Sequence, residues 1–245
     1  MLAIVKSMAL NGLNGYLVSI QVDISAGLPC FEIVGLPDTS VKEAKERVKT
    51  AIRNSNADFL SRRIIVNLAP ANTRKEGSIF DLPIAVGILI ATNNIKDNNL
   101  EEILENTIFI GELSLDGTIE NVKGVLPICI EARKLGIKKV ILSSKNAKEA
   151  AIIQGMEIIP VKNLNEIIQY LNGERKIEKE ETKNWALGGN HKNYEYKFDF
   201  SEVKGQENVK RALEISAAGG HNCLLIRKPR FRKNNVSKKI TRNFT

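Results

Sequence analysis

From Tyr16 to Ile24 the chain alternates. Val18, Ile20, Val22 and Ile24 fall on one side and Ser19, Gln21 and Asp23 on the other. This two-residue period is that of a strand with one face in a core and one in water, and on a helix it would scatter the apolar side chains around the cylinder. Such a strand needs a neighbour for its backbone hydrogen bonds. Leu2 to Leu10 supplies one across Asn11-Gly12-Leu13-Asn14-Gly15, so the chain is expected to open on a β-hairpin.

Further along, Ser40-Val-Lys-Glu43 has the form of a capping box, and Val41, Ala44, Val48 and Ile52 follow at helical spacing, which predicts a helix over about residues 38 to 54. Ile64 to Leu68 reads as a buried strand, Asp81 to Thr92 as a buried helix, and Thr107 to Leu113 as a strand ending in a Leu115-Asp116-Gly117 turn. The pattern then alternates: a helix at about 124–135, a strand at Lys138 to Leu142, a helix at about 146–154, a strand at Glu157 to Val161 and a helix at about 164–171. Antiparallel strands first and βαβ-like units later predict an α+β domain over residues 1–172.

Residues 173–197 lack apolar periodicity and are expected to be a linker. Trp185, Tyr194 and Tyr196 would dock that linker on a domain surface. A second start occupies residues 198–226: Phe198 to Phe200, then a helix through Gln206 to Ala218 with Val209, Leu213 and Ile215 or Ser216 inward. A Gly219-Gly220 stop and a strand over Asn222 to Ile226 complete it.

A composition of 43% hydrophobic and 26% charged residues excludes disorder throughout. The net charge of +8 is unevenly placed. Residues 227–245 carry eight Lys and Arg and no acid, which leaves residues 1–226 with 28 cations and 28 anions. Cys30, Cys129 and Cys223 are isolated in apolar segments, without metal-ligand spacing or a disulfide framework, and are expected to be small core side chains in a reducing compartment. His191 and His221 lie in separate segments, so no metal site is expected. The longest apolar stretch, Leu82 to Ala91, is about half a membrane span, and Lys6 interrupts any signal-peptide run. A cytoplasmic protein with no membrane partner is expected.

One constellation carries chemistry. Asn67-Leu-Ala-Pro-Ala-Asn-Thr-Arg-Lys-Glu-Gly77 precedes Phe80-Asp-Leu-Pro-Ile-Ala85. A loop bearing Arg74, Lys75 and Glu76, followed by a helix with Asp81 as its N-cap, would form a pocket mouth with two cations near a helix N-terminus. It could hold a phosphate or an acidic group of a neighbouring subunit, or be a solvated loop shaped by Pro70 and Gly77. No small-molecule substrate is apparent.

These stretches, with Phe31-Glu-Ile-Val-Gly-Leu-Pro-Asp38 and Gly111-Glu-Leu-Ser-Leu-Asp-Gly117, resemble the N-terminal domain of the magnesium-chelatase-like AAA+ ATPases of the ComM/YifB type. The likeness runs from Met1 to Ile226. The resemblance implies a ribosomal S5 domain 2-like fold, shared with the Lon protease catalytic domain, ahead of a AAA+ motor. It also implies ATP and Mg²⁺ as cofactors, a homo-oligomeric ring, and DNA as the partner in branch migration linked to natural transformation.

Kinship with Lon raises a Ser-Lys protease, which needs a hydroxyl nucleophile and a lysine base. The aligned positions hold Ile84 and Leu126, which can do neither chemistry. No catalytic residue is therefore assigned, and the domain reads as a structural or interaction platform.

The family's P-loop, G-x-x-x-x-G-K-[ST], should follow Ile226. Here the sequence is Arg227-Lys-Pro-Arg-Phe-Arg-Lys-Asn234, with Arg227 and Arg232 at the glycine positions and Asn234 in place of the hydroxyl residue. Only Lys233 matches. Side chains at positions where bare backbone must close around phosphate would block the cradle, so no ATP site, and no cofactor, is expected for this chain.

Residues 230–245 can be encoded so that dropping one nucleotide restores Gly-Ser-Gly-Lys-Thr and the start of a following helix. A frameshift after Pro229 would thus put residues 230–245 of the basic, out-of-frame tail 227–245 in the wrong frame, with Arg227 a further departure, and make the whole polypeptide a truncated fragment. Sequencing codons 225 to 245 tests this. Alternatively, the loop at Arg74-Lys75 or the basic tail serves a stand-alone nucleic-acid-binding module, with salt-dependent phosphate contacts.

Overall fold

The computed structural model describes residues 2–12, 14–97, 99–181 and 203–226. The polypeptide divides into two compact units, Met1–Trp185 and Ala186–Thr245.

In the first unit β1 (Leu2–Asn11) and β2 (Asn14–Ser25) form the expected antiparallel hairpin, with Val5 opposite Ile20 and Ala3 opposite Val22. Seven strands form one sheet in the order β3-β4-β2-β1-β5-β8-β9. β3 (Cys30–Val34) runs parallel to β4 (Arg63–Ala69), which is antiparallel to β2. β5 (Thr107–Ile110) joins β1 in parallel, and β8 (Lys139–Ser143) and β9 (Glu157–Val161) continue the parallel half. The architecture is therefore mixed α/β, with a mostly parallel sheet. The residue pattern reveals the antiparallel opening more clearly than the parallel majority.

Alternation assigns the two faces of the sheet to two cores. Val5, Ile20, Val66, Phe109 and Ile141 point to the side carrying α1 (Thr39–Asn54), α2 (Asp81–Ala91) and α6 (Leu164–Leu171). Met8, Ile108, Ile110, Val140 and Leu142 point to the opposite side, covered by α4 (Val125–Lys134) and α5 (Ala147–Ala150). α3 (Leu100–Glu105) lends Leu100, Ile103 and Leu104 to the edge of the first core. Every residue of α2 is buried, which suits a helix apolar on all sides. Its backbone approaches the hairpin at Gly87, where an added Cβ would lie 2.6 Å from Val22 Cγ2.

Several local expectations are corrected. The cap of α1 is Asp38, whose carboxylate accepts the Val41 N–H at 2.7 Å, so the helix starts before the Ser40 box. The strand expected over Thr107 to Leu113 breaks at Gly111. Its end is a separate β6 (Glu112–Leu113), paired in a small hairpin with β7 (Ile119–Glu120) around the expected turn. β4 is buried on one face only. β3 had no sequence assignment because, as an edge strand, it buries only Ile33.

Residues 173–181, expected to be linker, lie along the edge strand. The Glu180 N–H donates to the Ile158 carbonyl at 2.9 Å, and Ile177 packs against the first core. The rest of the linker, with Trp185, His191, Tyr194 and Tyr196, lies outside the described residues, as do Phe198 to Phe200 and the tail from Arg227.

In the second unit α7 (Glu207–Ala218) ends at Gly219, near the expected Gly-Gly stop. Leu213 is its buried residue, whereas Ile215 is exposed. The strand expected over Asn222 to Ile226 is not formed, and Leu224 and Ile226 are exposed. A strand requires a neighbour for its N–H and C=O groups, and none is present among the described residues. Cys223 is exposed with it and Cys30 is half-buried; of the three cysteines only Cys129 is the expected core side chain, its thiol pushed up to about 12 by burial.

Candidate functional site

Two of the quoted motifs, the loop 67–77 and the stretch 111–117, contribute to a cleft of about 580 Å³ at one end of the β1–β2 hairpin. Its floor is apolar, with Leu10 from β1, Ile79 from a single 3-10 turn (Ser78–Phe80), Val122 from the segment before α4 and Ile128 from the first turn of α4. Its rim is polar and carries both charges: Arg74 and Glu76 from the loop, Glu112 from β6, and Lys123 before α4.

The loop is held by backbone bonds to the start of α1. The Lys75 N–H donates to the Leu36 carbonyl at 3.1 Å, and the Asp38 N–H to the Lys75 carbonyl at 3.0 Å. The second oxygen of Asp38 accepts the Gly77 N–H at 3.3 Å. Asp38 thus serves both the helix cap and the loop. Gly35, at φ 96°, permits the backbone to pass so close to β4 that a Cβ there would sit 2.3 Å from the Leu68 carbonyl oxygen.

The three loop residues named from sequence have unlike fates. Arg74 is exposed and faces the cleft, with its guanidinium 3.5 Å from the Glu76 carboxylate. Lys75 is fully buried and is not a cleft cation. Its Nζ donates to the carbonyls of Pro70 and, at 2.8 Å, of Thr73, pairing acceptors that have no backbone partner among the described residues. Burial lowers the pKa of this ammonium. The pair of cations expected at the pocket mouth is therefore a single arginine beside a carboxylate.

Replacing Lys75 by methionine keeps the stem and strands both carbonyls. A loss of about 1–3 kcal/mol is expected from urea unfolding, against about 0.5 kcal/mol or less for Arg74→Ala.

Asp81 does not cap α2; it lies inside the first turn and is fully buried. Its carboxylate receives two bonds from Arg47 of α1, at 2.7 and 3.1 Å, and a third from the Leu113 N–H at 3.2 Å. Burial raises the Asp81 carboxyl above its usual value despite the guanidinium, whose own pKa is raised by the bond to Asp81. Beside this network the Ser78 hydroxyl donates to the Glu112 carboxylate.

Across the cleft the Tyr16 hydroxyl donates to the Arg74 carbonyl at 3.1 Å. Burial, and then Glu76, raise the pKa of this phenol. Tyr16, Asn11, Glu112 and Asn121 were not legible as site residues. They come from four segments that only the fold brings together.

Ile84 and Leu126, at the aligned protease positions, lie in α2 and α4, with Ile84 fully buried. Lys233 lies outside the described residues. No helix among the described residues is long and apolar enough to cross a membrane.

Comparison with known proteins places the chain in a family. Residues 20–146 match the model "Subunit ChlI of Mg-chelatase", and residues 199–243 match "Magnesium chelatase, subunit ChlI". The second match runs through the segment expected to be out of frame. The competence protein ComM of Haemophilus influenzae is 38% identical over 242 residues, covering 98% of this chain and 46% of that protein. YifB of Escherichia coli is 38% identical over 239 residues, with 98% and 45% covered. Lon protease 2 of Bacillus subtilis is 29% identical over 185 residues, 67% of this chain and 32% of that protein. The sequence therefore spans less than half the length of each of these relatives. By these matches the chain belongs to the Mg-chelatase subunit ChlI family and has ComM and YifB as homologues.

Proposed function

We propose that the first unit is an interaction platform with an S5 domain 2-like, Lon-like fold, belonging to a cytoplasmic, ring-forming AAA+ system. That system would couple ATP and Mg²⁺ to DNA branch migration in natural transformation. The observation that carries this reading is the 38% identity to a competence protein across 98% of the chain. The likeness to Lon protease 2 supports the fold assignment, and the hydrocarbon side chains of Ile84 and Leu126 support a platform instead of a protease.

The same reading gives this protein no ATP turnover, because Arg227 and Arg232 stand where the cradle needs glycine and Asn234 where Mg²⁺ needs a hydroxyl. The 245-residue protein incubated with ATP, Mg²⁺ and a four-way DNA junction should release phosphate at the background rate. Turnover that disappears on Lys233→Ala would overturn this part of the proposal.

The stand-alone nucleic-acid module is less well supported at the loop. Lys75 is buried and Arg74 is paired with Glu76, which leaves little uncompensated charge for phosphate. DNA affinity that falls steeply with salt and is abolished by neutralising the tail would assign binding to residues 227–245 instead of the cleft.

A further inference from the structure

We propose that the cleft at the end of the β1–β2 hairpin binds a short, extended peptide segment of a protein partner. This deepens the platform reading and rests on it, but it does not depend on the ATPase reading.

Three features of the cleft select a peptide over other ligands. The first is free carboxamides. Asn11 and Asn121 are exposed on the lining, and neither side chain has a hydrogen-bond partner among the described residues. A carboxamide presents one acceptor and two donors, the complement of the carbonyl and N–H of a peptide backbone. An extended segment has such groups to offer wherever they are not paired in a sheet or helix.

The second feature is the charge of the rim. Arg74 and Lys123 are balanced by Glu76 and Glu112. A nucleic-acid strand would bring its phosphates against two carboxylates, so the rim lacks the single-signed field that backbone binding needs. A polypeptide can instead set an acidic residue against Lys123, which is exposed and has no ion pair among the described residues, and a basic residue against the Glu112 carboxylate.

The third is the floor. Leu10, Ile79, Val122 and Ile128 form an apolar strip between these polar walls, suited to an aliphatic side chain that an extended segment turns inward. The volume of about 580 Å³ lies in the range of sites that enclose a small ligand or a few residues of peptide.

Two hydrogen bonds keep the walls in place before any ligand arrives. Ser78 is tied to Glu112, and the loop backbone is fastened at the Arg74 carbonyl by Tyr16. The site is thus built on fixed neighbours, which lowers the ordering cost of binding. The segment recognised has an apolar residue flanked by one acidic and one basic residue.

The test uses the 245-residue protein and a fluorescein-labelled pool of hexapeptides, each with a central leucine and flanking lysine and glutamate in both orders, read by fluorescence anisotropy without ATP or DNA. Binding is expected. The Asn11→Ala/Asn121→Ala variant should weaken it by about 10-fold or more while its unfolding midpoint in urea stays that of the parent. Lys123→Glu should weaken binding by about 10-fold or more and erase the preference between the two orders of charges.

No binding by any member of the pool overturns the proposal. Peptide binding unchanged in both variants also overturns it, while leaving the platform reading intact with its surface elsewhere. If a 25-base-pair DNA duplex binds and the Asn11→Ala/Asn121→Ala variant abolishes that binding, the cleft is a nucleic-acid site and the proposal falls.

Discussion

Arg47→Met should lower stability by about 3–5 kcal/mol, the cost of leaving a buried carboxylate without its partner. Among the described residues Arg47 is the only cation bonded to Asp81, and Asp81 has no exposed surface through which water could replace it. For a unit of this size the midpoint of thermal unfolding would drop by about 10 °C.

The loss should also depend on pH. The Asp81 carboxyl is already raised by burial, and removing Arg47 takes away the group that most lowers it. With the folded pKa above the unfolded one, the variant is most stable below the unfolded value near 3.8. It loses stability as pH rises through the folded value. The parent shares this loss up to its own, lower folded value, so the gap between parent and variant should widen only as pH rises beyond that value; a gap independent of pH would show that Asp81 does not carry the effect. The double variant Arg47→Met/Asp81→Leu should recover much of the loss. It should not recover all of it, because the Leu113 N–H would keep no acceptor.

Writing the protease dyad into this protein, as Ile84→Ser with Leu126→Lys, should produce an unstable protein and no protease. Ile84 is fully buried in α2, packed on every side by the first core. Exchanging it for serine removes most of a buried aliphatic side chain and adds a hydroxyl that must find a helix carbonyl. The expected cost is about 2–5 kcal/mol. Leu126 is only half-buried at the start of α4, so its exchange should cost far less. Urea unfolding of the two single variants separates these contributions, and cleavage of an unfolded fluorescent substrate tests for activity. An Ile84→Ser variant as stable as the parent would mean that the helix is looser than its burial implies.

Much of the fold was legible because the elements that carry it are periodic. The hairpin alternates over most of its length, and α2 is apolar from Leu82 onward. What was illegible depends on contacts between distant segments. β3 buries one side chain and exists because β4 lies beside it. Asp38 outcompetes Ser40 as a cap because it also fastens the loop at Gly77.

The candidate site divides in the same way. Sequence placed Arg74, Lys75 and Glu76 on a polar loop, which they occupy, but could not tell a solvated lysine from one folded inward onto carbonyls. Local pattern gives the polarity of a residue but not its direction. Asn11, Tyr16, Glu112 and Asn121 share a cleft only through the pairing of β1 with β2 and of β6 with β7.

The strap along β9 has a mechanical meaning. The first unit is left through residues 173–181, which are fastened by the Glu180 to Ile158 bond, by Arg175 on Glu166 at 3.3 Å, by Lys179 near Glu157 at 3.8 Å and by the packing of Ile177. A pull from the C-terminal side loads these fastenings one after another, as in peeling tape, before it reaches the ladder between β9 and β8. Peeling would release roughly 30 Å of polypeptide at about 3.3–3.6 Å per residue. The edge of the sheet thus carries a length of slack, taken up under load while the seven strands stay paired.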